Sequence, residues 1–265
     1  MHPHLNIAVS AARAAGRVIM RHLNQVEQLT VKAKSRNDFV TEVDQTAEQE
    51  IVHVIRRAYP DHAILAEEGG ADGNSEFVWI IDPLDGTTNY LHGLPQFAVS
   101  IALQHKDKLE HAVVYNPWSQ ELYTASRGQG AQLDGRRIRV SKARTLDGSL
   151  IGSGFPFRQN QNLDVYLPML RHVIDNTAGI RRAGSAALDL AYVAAGRLDG
   201  FWEFGLQPWD MAAGMLLISE AGGRIGDLAS DDADPLKTGN VLAGTPKVYD
   251  ALAAALRPML RSASR

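Results

Sequence analysis

Apolar side chains recur at helical spacing in two segments near the start of the chain. Residues 4–23 place apolar positions about one turn apart, with arginines on a different face. Residues 42–58 repeat the pattern, and Tyr59-Pro60 marks its end because a proline disfavours a helical conformation in the residue before it. Two amphipathic helices are therefore predicted.

Two short apolar runs follow, and each is followed by carboxylates. Ala63–Ala66 precedes Glu67-Glu68, and Phe77–Ile81 precedes Asp82 and Asp85. Runs of this length without alternation are typical of buried strands. If the two strands are neighbours in one sheet, their acidic ends come together at the same edge.

The rest of the chain has two parts that differ in their predicted secondary structure. Residues 96–140 alternate β-prone runs with turn formers, and Asp134-Gly135 predicts a hairpin. After about residue 145 strands and helices alternate, as in α/β packing. The predicted elements of this part are strands at 149–152 and 198–204 and helices at 163–175, 185–195, 210–221 and 246–257. The fold class is therefore predicted as α/β, with an α+β domain over residues 1–145 and an α/β domain over residues 146–265 that share an interface.

Composition excludes several classes of protein. The 265 residues are 45% hydrophobic and 22% charged, so one large core or two fused cores can form. The net charge of −3 does not favour sequence-specific nucleic-acid binding. The absence of cysteine excludes disulfides and thiolate chemistry. No signal peptide and no membrane span is recognisable, so a cytoplasmic location without membrane contact is expected.

The segment from Asp82 to Thr88 contains the highest concentration of candidate functional groups. Pro83 stiffens the exit from the strand, so Asp82, Asp85 and the Leu84 carbonyl can point at one place. Hard oxygen ligands of this kind suit Mg²⁺. The amides of Gly86, Thr87 and Thr88 would open a short helix that can receive a phosphate oxygen.

The acidic residues of this segment and elsewhere in the chain also have simpler structural interpretations. Asp-Gly-Thr is a common turn, Asp44 and Asp210 both suit the first turn of a helix, and a Glu-Glu pair is often a solvated loop. None of the nine histidines stands at a spacing that indicates a ligand set, and His2 and His4 are expected in a mobile terminus.

Three segments resemble the signature motifs of the inositol monophosphatase family of lithium-sensitive, Mg²⁺-dependent phosphatases. They follow one another along the chain in the order in which the family has them. They are Ala66-Glu67-Glu68-Gly69, Asp82-Pro-Leu-Asp-Gly-Thr-Thr-Asn89 and Pro208-Trp209-Asp210-Met-Ala-Ala-Gly214. The resemblance extends from Asn6 to about Pro246. Further segments, among them Gly184-Ser-Ala-Ala-Leu-Asp-Leu-Ala-Tyr-Val-Ala-Ala-Gly196, are similar to the bacterial SuhB branch. The resemblance implies a layered αβαβα sandwich with metals in a cleft between the halves.

Carried over by position, the resemblance implies two to three Mg²⁺ ions. Glu67, Asp82 and the Leu84 carbonyl would hold one, and Asp82, Asp85 and Asp210 a second, with a loosely bound third near Glu67. Thr87 and Asp44 would orient the attacking water, so Asp44, Thr87 and Glu67 are the candidate catalytic residues.

For the substrate, the resemblance implies a small phosphorylated polyol, myo-inositol 1-phosphate. Its phosphate would meet Gly86, Thr87 and Thr88, and its hydroxyls would meet Asp85, Gly184, Ser185, Ala186 and Glu203. Relatives with the same metal motifs cleave fructose 1,6-bisphosphate, histidinol phosphate or 3′-phosphoadenosine 5′-phosphate, and these substrates stay open. Arg181 and Arg182 adjoin the pocket segment and could hold a distal phosphate.

Two expectations about partners also follow from the resemblance. The family favours a homodimer. The SuhB branch is associated with ribosomal-RNA transcription antitermination, so contact with the transcription machinery is an alternative role beside catalysis. Arg181-Arg182 and the segment Phe155-Pro-Phe157-Arg158 are candidate surfaces for it.

Overall fold

The computed structural model describes residues 2–23, 31–35, 38–156 and 163–263. Both predicted N-terminal helices are present, as α1 (Pro3–His22) and α2 (Glu42–Ala58). Two short antiparallel strands, β1 (Val31–Ser35) and β2 (Asp38–Thr41), stand between them. Thr41 and Asp44 form a reciprocal capping box at the start of α2, which fixes where that helix begins.

The larger of two sheets has eight strands in the order β10-β9-β8-β7-β6-β5-β3-β4. Only β3 and β5 run parallel among these pairs; the other neighbours are antiparallel. The predicted hairpin at Asp134-Gly135 joins the last two strands. The strands are β3 (Ala63–Ala66), β4 (Gly70–Asp72), β5 (Phe77–Asp85), β6 (Ala98–His105), β7 (Lys108–Asn116), β8 (Glu121–Ser126), β9 (Gly130–Leu133) and β10 (Arg136–Arg137), with the short helix α3 (Thr87–Leu91) after β5.

The second sheet has five strands in the order β12-β11-β13-β15-β14. Its first three strands are parallel, and β15 is antiparallel to both of its neighbours. The C-terminal half is therefore α/β in its connections with a mixed sheet. Its strands are β11 (Leu150–Ser153), β12 (Gly179–Arg181), β13 (Gly200–Glu203), β14 (Arg224–Asp227) and β15 (Val241–Gly244), and its helices are α4 (Leu163–Asn176), α5 (Ala186–Ala194), α6 (Pro208–Glu220), α7 (Pro235–Thr238) and α8 (Pro246–Ala263).

Three hydrophobic clusters stack these elements into five layers. One packs α1 and α2 on the outer face of the large sheet. A second places α5 and α6 between the two sheets, and a third packs α4 and α8 on the far face of the small sheet. This arrangement confirms the layered αβαβα sandwich. The middle layer contacts strands of both halves, whereas the division near residue 145 stays a prediction.

Several element ends differ from the predicted ones for local reasons. Strand β13 starts at Gly200 because the amides of Arg197 and Leu198 are bonded to the Tyr192 carbonyl in a turn after α5. Helix α6 starts at Pro208, where proline suits the first helical position. Among the described residues no helix has both the length and the apolar character needed to cross a bilayer.

The start of the chain is packed, and the expectation of a mobile terminus is wrong. His2 accepts a hydrogen bond at the N-terminus of α1. The rings of His2 and His4 lie against the buried His111 of β7, with ring centroids 4.4 and 5.8 Å from it. Local residue spacing could not indicate these contacts, because His111 lies more than one hundred positions away in the sequence.

Candidate active site

The parallel pairing of β3 and β5 brings two acidic strand ends together. Ala66 is opposite Ile81, so Glu67 and Asp82 follow at the same edge. The Glu67 amide donates to the Ile81 carbonyl at 3.1 Å and continues the pairing by one residue. The predicted juxtaposition of these carboxylates is thus present.

An irregularity in β5 sets the directions of its two aspartate side chains, Asp82 and Asp85. The register with β6 shifts between Asp82 and Asp85, around Pro83. Within the bulge, the Leu84 amide donates to Asp82 Oδ1 at 2.9 Å. A bulge of this kind redirects side chains that regular alternation would place elsewhere.

Asp85 is held from the opposite half of the molecule. Its Oδ2 accepts hydrogen bonds from Ser185 Oγ at 2.6 Å and from the Ala187 amide at 2.7 Å, at the N-terminus of α5. Both of these contacts engage Oδ2. The two hydrogen bonds also connect the Asp82–Asn89 motif to the Gly184–Gly196 segment.

Asp210 completes an oxygen cluster from the start of α6. It is the N3 residue of that helix, and its Oδ2 accepts from the Gln207 amide at 2.7 Å. Oxygens of Asp82, Asp85 and Asp210 lie within 4.8 Å of one another. Three carboxylates at this separation suit one or more divalent cations with oxygen ligands.

The electrostatics of the cluster also fit a cation. Burial, with the charges of Glu67, Asp85 and Asp210, raises the pKa of Asp82 well above its usual range. Burial raises the pKa of Asp85 to about 6, although its bonds from Ser185 and Ala187 lower it. Carboxylates whose pKa is raised in this way are stabilised in their charged form when a positive ion binds among them.

Thr87 and Asp44 form the predicted hydroxyl–carboxylate pair. Thr87 Oγ1 lies 3.0 Å from Asp44 Oδ1 and 3.1 Å from the Leu84 carbonyl. Asp44 Oδ2 accepts from the amide of Thr41 at 2.9 Å and from its hydroxyl at 2.5 Å. Burial raises the pKa of Asp44, against the lowering effect of its hydrogen bonds. The capping interpretation of Asp44 is confirmed, and its contact with Thr87 uses the other carboxylate oxygen.

Gly86 forms the tight turn between β5 and α3. Its φ is +93°, and a Cβ there would lie 2.8 Å from the Gln96 carbonyl, so only glycine fits this turn. Thr87 and Thr88 follow in α3 and line the same cleft. Asn89 Nδ2 donates to the Gln96 and Ala183 carbonyls at 2.7 and 2.9 Å, which fixes the facing segment.

These groups surround one cleft of about 530 Å³. Its lining includes every predicted metal and substrate residue: Glu67, Asp82, Leu84, Asp85, Gly86, Thr87, Thr88, Gly184, Ser185, Ala186, Glu203 and Asp210. Asp44 reaches the cleft through Thr87. Near the site, Trp79 is buried in one hydrophobic cluster and Trp209 packs against another.

Glu203 closes the far wall of the cleft. Burial raises its pKa to about 8, while the charge of Arg182 lowers it. Gly154 faces it so closely that an added Cβ would lie 1.9 Å from the Glu203 carboxyl carbon. Arg182 lines the cleft as well, with its guanidinium 5.3 Å from the Phe155 ring centroid. Phe157 and Arg158 of the candidate surface lie outside the described residues.

Two residues near the site were missed by sequence reasoning. Glu48 accepts from the amides of Glu68 and Gly69 at 2.8 and 2.7 Å and so holds the loop that carries Glu67. Its position four residues after Asp44, on the same helix face, was an available signal. Asp189 lines the cleft with a buried Oδ1 that has no hydrogen-bond partner among the described residues. Its signal was a carboxylate inside the apolar helix α5.

Comparison with known proteins agrees with this geometry. Residues 1–261 match the model of the inositol monophosphatase family. Nus factor SuhB of Pseudomonas aeruginosa is 56% identical, with 98% of each chain covered. Among solved structures, the extragenic suppressor protein suhB of Bartonella henselae has 45% identity and a TM-score of 0.93, over 97% of this chain and 99% of the other. The inositol monophosphatase of Anabaena has 40% identity and a TM-score of 0.86, over 96% of this chain and 95% of the other. The chain therefore belongs to the inositol monophosphatase family.

Proposed function

We propose that this protein is a Mg²⁺-dependent phosphomonoesterase that hydrolyses myo-inositol 1-phosphate to inositol and phosphate. The supporting observation is that the Asp82, Asp85 and Asp210 carboxylates converge beside the Thr87–Asp44 pair. Family membership supports the phosphatase class.

The donor set suits two to three Mg²⁺ ions. Glu67, Asp82 and the Leu84 carbonyl would hold one, and Asp82, Asp85 and Asp210 another, with a weaker third near Glu67. When bound, the metal neutralises phosphate charge, acidifies water and stabilises the departing alkoxide.

Thr87 and Asp44 would position the attacking water. The Thr87 hydroxyl has a single proton, and Asp44 Oδ1 accepts it at 3.0 Å. The Thr87 oxygen then accepts a hydrogen bond from water on the cleft side. As water attacks phosphorus, its proton passes to Thr87 Oγ1 and the Thr87 proton passes to Asp44 Oδ1. The raised pKa of Asp44 favours this acceptance.

The remaining cleft residues would bind and orient the ester. The amides of Gly86, Thr87 and Thr88 suit phosphate oxygens. Ser185, the Gly184 and Ala186 segment, Asp85 and Glu203 suit the hydroxyls of a polyol. Arg182 is the one cationic side chain in the described lining of the cleft, so a single distal phosphate is the strongest competitor for this wall.

The substrate assignment is tested by phosphate release from four esters with saturating Mg²⁺. The esters are myo-inositol 1-phosphate, fructose 1,6-bisphosphate, histidinol phosphate and 3′-phosphoadenosine 5′-phosphate. The inositol ester is expected to have the highest kcat/KM. A tenfold lead of another ester, equal to about 1.4 kcal/mol of transition-state discrimination, overturns the substrate and leaves the metal chemistry standing. Full activity in excess chelator overturns the metal chemistry itself.

The similarity to Nus factor SuhB of Pseudomonas aeruginosa and of Escherichia coli supports a second candidate function. This is a protein-binding role in ribosomal-RNA transcription antitermination beside catalysis. Such binding does not need Asp82. An Asp82→Asn variant should therefore still bind the transcription machinery in a pull-down while it fails to release phosphate. A homodimer, lithium inhibition and a cytoplasmic location are proposed from family membership, and light scattering and a lithium titration test the first two.

A further inference from the structure

Three histidines from two distant parts of the chain converge outside the active-site cleft. His2 precedes α1, His4 lies in its first turn, and His111 lies in β7. One ring nitrogen from each lies within 4.8 Å of the others. The three residues, which we call the histidine triad, line no part of the cleft described above.

Two rings of the triad have one nitrogen in a hydrogen bond with the protein. His2 Nδ1 lies 3.3 Å from the His4 amide and accepts its hydrogen bond, which leaves Nε2 of His2 for a metal. His111 Nδ1 lies 2.9 Å from Ser126 Oγ, on the neighbouring strand. Hydrogen bonds of this kind fix the ring orientation of metal-ligating histidines.

Burial acts on two of the three imidazoles. Burial, together with the neighbouring His2 and His4, lowers the pKa of His111 to about 4. Burial and the neighbouring histidines also lower the pKa of His4. Around His4 lie the rings of Tyr59, His62 and Phe77, with centroids 4.7 to 5.6 Å away. Neutral imidazoles carry the lone pairs that a transition metal requires.

We propose that the histidine triad binds one late first-row divalent cation of the Zn²⁺ or Cu²⁺ type and thereby ties the start of α1 to β7. An all-imidazole set selects such ions over Mg²⁺, which prefers oxygen. Tetrahedral binding at about 2.0–2.1 Å per nitrogen requires the nitrogens to approach to about 3.3 Å. The exposed His2 side chain can make this small approach because it stands ahead of the helix, at the N-cap position.

The test uses the full chain without a polyhistidine tag, in excess Mg²⁺ that occupies the carboxylate site. Cu²⁺ is titrated and its electron paramagnetic resonance spectrum is recorded. One equivalent should bind with superhyperfine splitting from nitrogen. His2→Asn should weaken this binding by at least about tenfold, since asparagine keeps the helix cap and removes the imidazole. His2 is exposed, so this variant tests the proposal even if His111→Gln fails to fold.

Two controls separate the triad from other histidines and from the cleft. His105→Gln removes a ring that stacks on Phe77 at 4.1 Å and lies outside the triad, so binding should be unchanged. Zn²⁺ should raise the Tm of the parent protein and leave that of His2→Asn unchanged, because a ligand stabilises the state that it binds. Oxygen-only Cu²⁺ spectra, or equal affinity in His2→Asn and the parent protein, overturn the proposal. Phosphatase activity should be the same in both.

Discussion

Thr87 Oγ1 and Asp44 Oδ1 lie 3.0 Å apart although the residues are separated by 43 positions in the chain. The same aspartate uses its other oxygen to close the capping box with Thr41. A helix cap therefore sets the direction of the carboxylate that faces Thr87. The Leu84 carbonyl, 3.1 Å from Thr87 Oγ1, is a second acceptor beside the same hydroxyl.

Replacing either partner should slow the chemical step. Thr87→Val removes the hydroxyl that relays the proton, and Asp44→Asn removes its acceptor. We expect kcat to fall by about 10² or more while the Kd of the substrate stays nearly constant, as for general-base assistance. Thr46→Val is the matched control, because that exposed hydroxyl bonds only to the Glu42 carbonyl of its own helix. A change in KM alone would assign Thr87 and Asp44 to phosphate binding.

Asp82→Asn should separate activity from stability. The variant loses a ligand shared by two proposed metals, so phosphate release should nearly vanish at saturating Mg²⁺. Burial and three neighbouring carboxylates disfavour the charge of Asp82. Its removal should therefore raise the Tm of the metal-free protein at pH 7.5, measured in chelator. An unchanged kcat would contradict the role of Asp82 in metal binding, and a lowered Tm would contradict the electrostatic argument.

The stabilising effect of Mg²⁺ should grow with pH. The pKa of Asp85 rises from 3.8 to about 6 on folding, so the folded protein holds more protons than the unfolded chain between these values. The free energy of unfolding of the metal-free protein should thus fall as pH rises through that window, and Asp82 adds in the same direction. Bound Mg²⁺ removes the penalty. The Tm difference between Mg²⁺ and chelator should be small at pH 5 and larger at pH 7.5.

That pH dependence has an internal control. Asp82→Asn removes one of the raised groups and one ligand, so its Mg²⁺-dependent Tm difference should be smaller and flatter across the same range. Equal Tm differences at pH 5 and pH 7.5 in the parent protein would show that proton and metal do not compete for the cluster.

Sequence reasoning found the parts of the site that local signals encode. The run Phe77–Ile81 with Asp82 and Asp85 indicated a buried strand with an acidic end, and that is what β5 provides. A second run of the same kind suggested a neighbouring strand with an acidic end, and β3 lies parallel to β5. The family resemblance then assigned Asp44 and Asp210, whose local patterns indicate only helix starts.

Long-range packing explains what the sequence did not reveal. Glu48 bonds to amides twenty and twenty-one positions away, so its spacing from Asp44 indicates the helix face but not these partners. The His2–His111 stacking depends on how α1 lies on β7. The strands β14 and β15, which pair antiparallel with each other, were not predicted from the sequence.

Gly154→Ala should damage recognition of the polyol more than the chemistry. A Cβ at this position would lie 1.9 Å from the Glu203 carboxyl carbon, so the glutamate must move out of its place in the cleft wall. We expect the KM for myo-inositol 1-phosphate to rise by about tenfold, the scale of one lost polar contact. Glu203→Gln should have an effect in the same direction, because it changes the same contact without crowding the backbone. Phenyl phosphate has no polyol hydroxyls, and its hydrolysis should change little in either variant. The Mg²⁺-dependent Tm shift should also be preserved, since Gly154 holds no proposed ligand. If both esters lose activity equally, the substitution has disturbed the metal cluster, and Glu203 is not the group that distinguishes the polyol.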